Sequence, residues 1–213
     1  MNIAALRAHI DSALQHEALH HALTRDIEAR LDELHRAIRL PGEEPAATLL
    51  RFVHVYVGEV PDLLEAAASV ADQAGLDAQV RPLLRLAEAF FLSPPALLDG
   101  HHGLEAILDE AYLAHRLVEE VNDRYILHFG QPLIPLDTTA ANLVAHALIG
   151  DAFANRLDAA VQQACEVLLE ARIFASDSAQ RYREQLASPT LEAAWQRWPC
   201  LSRRLGVELR FTH

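Results

Sequence analysis

Lysine is missing from this 213-residue chain: all 18 of its lysine-or-arginine positions are arginine. That absence excludes a Schiff-base or pyridoxal-phosphate lysine and a lysine-bearing phosphate loop. Cysteine is nearly missing too. Cys165 and Cys200 are the two present, without metal-type spacing, and they read as reduced thiols rather than a disulfide framework. Glycine is scarce at 8, and Leu and Ala dominate over β-branched and aromatic runs, which favours helices. Positive charge is also short. A formal net charge of −12 argues against binding to nucleic acid or an anionic membrane surface, since both need a basic face. No apolar run approaches the roughly 20 residues of a membrane span. The opening MNIAALRAHIDSALQHE carries charges where a signal peptide needs an apolar core. The expectation is an acidic, histidine-rich cytoplasmic protein.

Along the chain, the fold class reads as all-α: a single domain over 1–213 of about eight helices, with possible sub-layers 1–93 and 104–213. Ile3, Leu6, Ile10 and Leu14 begin an apolar stripe at helical spacing. The spacing predicts one long helix or two over 3–39, with Thr24 as a cap and Leu40-Pro41-Gly42 as the stop. A helix from Pro45 to Val57 follows. Gly58 and Pro61 predict a break or a kink, and a further helix, with Pro61 in its first turn, runs to about Gln73 and ends at Gly75. Asp77 is positioned to cap the next, Ala78 to Leu92, which Ser93-Pro94-Pro95 ends. Leu104 to His128 carries an apolar arc of Leu104, Ile107, Leu108, Ala111, Ala114, Val118, Val121 and Tyr125. Asp109, Arg116, Glu120 and Asp123 fall on its opposite side.

TAANLVAHALIGDAFANRL, Thr139 to Leu157, is apolar or small on nearly every side in its first turns, the mark of a helix inside a protein. It reads as the centre of the fold, continuing to about Arg172 and forming an antiparallel hairpin with the helix from Leu104. A helix to Leu186 follows Ser176 or Asp177, then a last one bearing Trp195 and Trp198. GVELRFTH alternates like a strand but has no evident partner, so it reads as a tail.

Two constellations carry possible chemistry. His16-Glu17-Ala18-Leu19-His20 matches HExxH, which on a helix sets two imidazoles one turn apart beside a carboxylate. His9 shares their flank, so a half-exposed histidine ridge stands beside a surface metal site as the reading. The second lies in the hairpin, where Tyr112, His115, Asn122, Asn142, His146 and Asp151 are candidates for a ligand pocket. Glu119 lies roughly level with His146, and helical bundles build metal sites from such inward Glu and His. A closed hydrogen-bonded network is the competing reading. His16, His20 and Glu119 are the candidate metal ligands, with iron, haem or zinc as the candidate cofactors. His101-His102 reads as a solvated loop pair.

LVAHALIGDAFANRLD (Leu143 to Asp158), together with QHEALHHAL near the N-terminus, resembles haem oxygenases, which are all-helical. The resemblance implies that His16 or His20 ligates haem iron and that Gly150 lies over the other face. Only Gly150 stands where that family clusters several glycines. Two functions are expected on these grounds: a non-enzymatic ligand- or protein-binding or regulatory protein, or a metal- or haem-dependent helical-bundle enzyme. A homodimer is expected, since a helical protein rich in Ala and Leu often self-associates through an apolar face.

Overall fold

The computed structural model describes residues 1–34, 38–40, 44–134, 136–169, 174–186 and 208–209. Eight α-helices lie among them: α1 (Ile3–His20), α2 (Ala22–Arg30), α3 (Pro45–Ala74), α4 (Asp77–Leu92), α5 (Gly103–Phe129), α6 (Thr139–Ile149), α7 (Asp151–Leu168) and α8 (Asp177–Gln185). The chain is an all-α helical bundle. Among the described residues, no helix is long and apolar enough to cross a membrane.

The helix at the centre is α5, not the stretch from Thr139. It packs against α1, α3, α4, α6 and α7, and its whole predicted apolar arc is buried. So are residues beyond that arc: Asp109 and Glu110 are 1 % and 4 % exposed. Asp109 was expected on the polar side. Glu105 in the first turn is still exposed, but from Ile107 to His115 the helix covered on five sides has no solvent face, and the polar residues there are enclosed with the rest.

The central antiparallel hairpin is α5 with α6. Asn122 lies at its closed end, donating through Nδ2 to Ile134 O at 2.6 Å and accepting from Ile134 N at 2.9 Å. Further along, Asn142 meets Glu119, and the rings of His146 and Tyr112 lie 6.2 Å apart. The expected continuation to Arg172 is overturned. The chain reverses at Gly150, whose φ of 94° and ψ of 136° lie in a region only glycine occupies readily. Then α7 runs back parallel to α5, with Asp158 against Tyr112 and Arg116, and Cys165 near Glu120 and Arg124. Its buried stripe is Ala154, Leu157, Val161 and Cys165.

Other boundaries also differ. No break occurs at Gly58 or Pro61: α3 runs through both for 30 residues and ends at Gly75. Asp77 is the first residue of α4 rather than its cap. Ser176 does cap α8, accepting from Ala179 N at 3.2 Å. Ile38 is not helical. Ile38–Arg39 pairs antiparallel with Glu208–Leu209, so the expected tail supplies the partner strand that its pattern lacked. The stop at Pro41-Gly42, the Trp195 and Trp198 helix and Cys200 lie outside the described residues. Cys165 is a free thiol in the core, and burial pushes it up to about 12.

Candidate functional site

Glu17, the carboxylate of the HExxH match, is buried and turned away from its two histidines. It accepts from Leu23 N at 3.0 Å, Thr24 N at 2.9 Å and Thr24 Oγ1 at 2.8 Å, and so caps α2. Thr24 was expected to be that cap; it is instead the residue capped. Burial acts to raise the Glu17 pKa, but the donors from Thr24, Leu23 and Ala22 outweigh it and hold the carboxyl below its ordinary value. A carboxylate holding three donors is not poised as a general base. His16 and His20 are exposed, with ring centroids 4.2 Å apart. Glu119 does not join them.

In the hairpin, two of the six candidate pocket residues, Tyr112 and Asn142, belong to a chain of hydrogen bonds. Tyr56 OH donates to Asn142 Oδ1 at 2.8 Å. Asn142 Nδ2 donates to Glu119 Oε2 at 2.5 Å and Thr138 Oγ1 at 3.1 Å. Arg116 bridges Glu119 at 2.6 Å and Asp158 at 2.9 Å, and Asp158 accepts from Tyr112 OH at 3.0 Å. Tyr56, Arg116 and Asp158 were not among the candidates. Tyr56 had no visible partner in its own helix, and Asp158 sits in α7, whose direction the sequence did not reveal. Burial pushes both tyrosines well above their ordinary range.

His115 is fully buried with Nε2 3.1 Å from Tyr56 O, and its ring is 4.3 Å from the Tyr56 ring. Its Nδ1 has no hydrogen-bond partner among the described residues. Burial pushes it down to about 4, against the smaller pull of the Tyr56 carbonyl. Asn122 belongs to the hairpin turn, as above. His146 and Asp151 sit outside the network: Asp151 is 89 % exposed, and His146 Nδ1 lies 3.5 Å from it. They were expected inside because the stretch from Thr139 is apolar on nearly every side; in the structure His146 is half-buried and Asp151 exposed. Among the described residues, no group of three or more His, Cys, Asp or Glu could hold a metal ion.

The residues do not fit a haem sandwich. A Cβ added at Gly103 would lie 3.6 Å from His16 Nδ1, and one added at Gly150 would lie 3.6 Å from Arg30 Nη1. Each residue of the expected pair thus faces something else. Gly150 borders a cleft of about 270 Å³ whose walls include Ile27, Arg30, Glu33, Leu148 and Asp151, and not His16 or His20. Arg30 donates there to Leu148 O at 2.5 Å and pairs with Asp26 at 2.7 Å.

Comparison with family models, with curated proteins and with solved structures finds no match for this chain. Its site has to be read from its own chemistry.

Proposed function

We propose that this chain is a non-enzymatic binding or regulatory protein that acts as a homodimer. The observation that carries the reading is the closure of the central network. Tyr56, Asn142, Glu119, Arg116, Asp158 and Tyr112 are bonded to one another. Catalysis needs groups held toward a substrate rather than used up on neighbours. The cleft beside Gly150 gives a small ligand a place to bind, with Arg30, Glu33 and Asp151 as polar contacts between apolar walls. Exposed Leu127 and Val167, near the ends of the parallel helices α5 and α7, support self-association.

Elemental analysis and a visible spectrum of untagged protein, purified without chelator, test the reading. Stoichiometric iron or zinc, or a Soret band, would overturn it. Light scattering tests the dimer, and a monomer at working concentration would remove that part. The exposed His16–His20 pair favours a second, narrower reading, a surface site for an imidazole-preferring ion such as zinc. Loss of bound zinc on His16→Ala would establish it.

A further inference from the structure

Asp109 and Glu110 lie side by side in α5, 1 % and 4 % exposed, and each meets one histidine. Consecutive helix positions point about 100° apart at 3.6 residues per turn, so the two reach different neighbours. Asp109 Oδ2 is 2.7 Å from Nδ1 of His101, in the loop before α5. Glu110 Oε2 is 3.2 Å from Nε2 of His9 on α1. The His101 ring stacks on Phe153 of α7, 4.5 Å between centroids.

Several charged groups on the packed helices are engaged elsewhere. On α1, Arg7 pairs with Asp62 and Glu65 of α3, and Glu17 caps α2. On α3, His54 feels chiefly burial, and Glu17 beyond that. On α4, Arg81 pairs with Asp77, and Glu88 meets the chain's N-terminus. On α6, His146 faces Asp151; on α7, Arg156 lies over Phe153. Within this set, Asp109 feels His101 and Glu105, and Glu110 feels Asp109.

We propose that the two carboxyl–histidine couples form a proton-dependent latch, holding α1 and the 99–102 loop onto α5 and loosening as pH rises past neutrality. A neutral imidazole can still donate its one N–H to a carboxylate, so what the carboxyl proton decides in each couple is charge. At high pH two adjacent carboxylates are therefore left buried with neutral donors and no counter-charge, which is costly. Burial pushes Asp109 up to about 7 against the pull of His101. Burial, with the Asp109 charge added, pushes Glu110 up to about 8.

The opened chain releases these protons near the ordinary values of 3.8 and 4.5. Between those limits the closed form holds more protons. The latch is therefore tightest at the acid end, weakens as pH climbs through 7 and 8, and levels off above. Arg7 on Asp62 and Glu65 does not titrate in this window, so the first turns of α1 stay anchored while its later turns open. Opening uncovers Ile10 and Ala13, which are buried in the closed form.

The test is amide hydrogen exchange on the full chain between pH 5.5 and 8.5, corrected for chemical exchange. Protection of residues 9–20 and 96–102 should fall up to about tenfold per pH unit for each proton held. Asp109→Asn and Glu110→Gln should each remove one proton from that slope. A flat wild-type profile, or slopes unchanged in both variants, overturns the latch. Carboxyl carbon NMR of the wild type gives an answer that needs no variant. Two carboxyl signals should still be titrating above pH 6, and completion of both below pH 5.5 overturns the proposal.

Discussion

Thr24 Oγ1 lies 2.8 Å from Glu17 Oε1, and that contact makes the turn from the first helix to the second. The chain passes through His21 at φ 51°, a left-handed conformation that a non-glycine residue adopts at some cost. The Glu17 carboxylate offsets it by taking the first free N–H groups of α2. Glu17→Ala should cost about 1–2 kcal/mol, the range of a lost cap, and Glu17→Gln less. The carboxyl is depressed in the folded chain, so its stabilisation holds above about 4.5 and disappears as pH falls through the folded value. Urea midpoints at pH 3.5 and 7 for wild type and Glu17→Gln check both points, the difference being larger at pH 7. Equal midpoints at pH 7 would rule out the cap.

Gly150 is the residue on which the last helices turn. The space beside it is ordinary, since an added Cβ would sit 3.6 Å from Arg30 Nη1. The obstacle to a side chain is the backbone: φ 94° with ψ 136° is strained for any residue with a Cβ. Gly150→Ala should lose about 1–3 kcal/mol with little change in the denaturant slope. A neutral result would mean that α6 and α7 can join as one helix.

These two corners also show why part of the fold was legible and part was not. The apolar arc of α5 repeats at helical spacing, and every residue in it is buried. Local spacing says nothing of how many neighbours a helix has, so Asp109 was placed in solvent. Gly150 within an apolar run is compatible with a continuous helix, and only the contact of Asp158 with Tyr112 reveals that α7 has turned back. Glu17 read as a carboxylate beside the two imidazoles because HExxH records residue type and not the direction a side chain takes. Ile38 and Leu209 pair across most of the chain length, beyond the reach of local pattern. For the hairpin, the hydrogen-bonded network takes in Tyr112, Asn142 and Glu119, while His146 and Asp151 lie at its edge.

Tyr56 and Asn142 should behave as one unit. Asn142→Ala leaves the Tyr56 hydroxyl and one oxygen of Glu119 without this partner in a buried setting, at about 1–3 kcal/mol. Tyr56→Phe leaves Asn142 Oδ1 alone. Having lost the shared bond once, the double variant should cost less than the sum, by about 0.5 kcal/mol or more. Additive losses from chemical denaturation would show that the two residues do not share one bond.

His115 should set an acid limit on the same core. Its Nε2 donates to Tyr56 O, which leaves Nδ1 as the unprotonated nitrogen, enclosed without a partner among the described residues. A second proton would create a buried cation with a donor facing nothing. Burial therefore pushes the ring down to about 4 from its ordinary 6.5. The unfolded chain binds the extra proton across that interval and the folded chain does not, so stability should decline as pH falls from 6.5 toward 4. The full decline is on the order of 3 kcal/mol. This runs opposite to the Asp109 and Glu110 couples, which favour the acid side, so the wild-type profile mixes the two trends. His115→Leu separates them. Near pH 7 it should be close to neutral, because an apolar side chain of similar size replaces an imperfectly bonded ring, and the decline below 6.5 should shrink to the smaller share of His54, which burial also holds below its ordinary value. Urea denaturation at half-unit steps from pH 4 to 7 reads the difference directly. An undiminished decline in His115→Leu would place the acid sensitivity on another group.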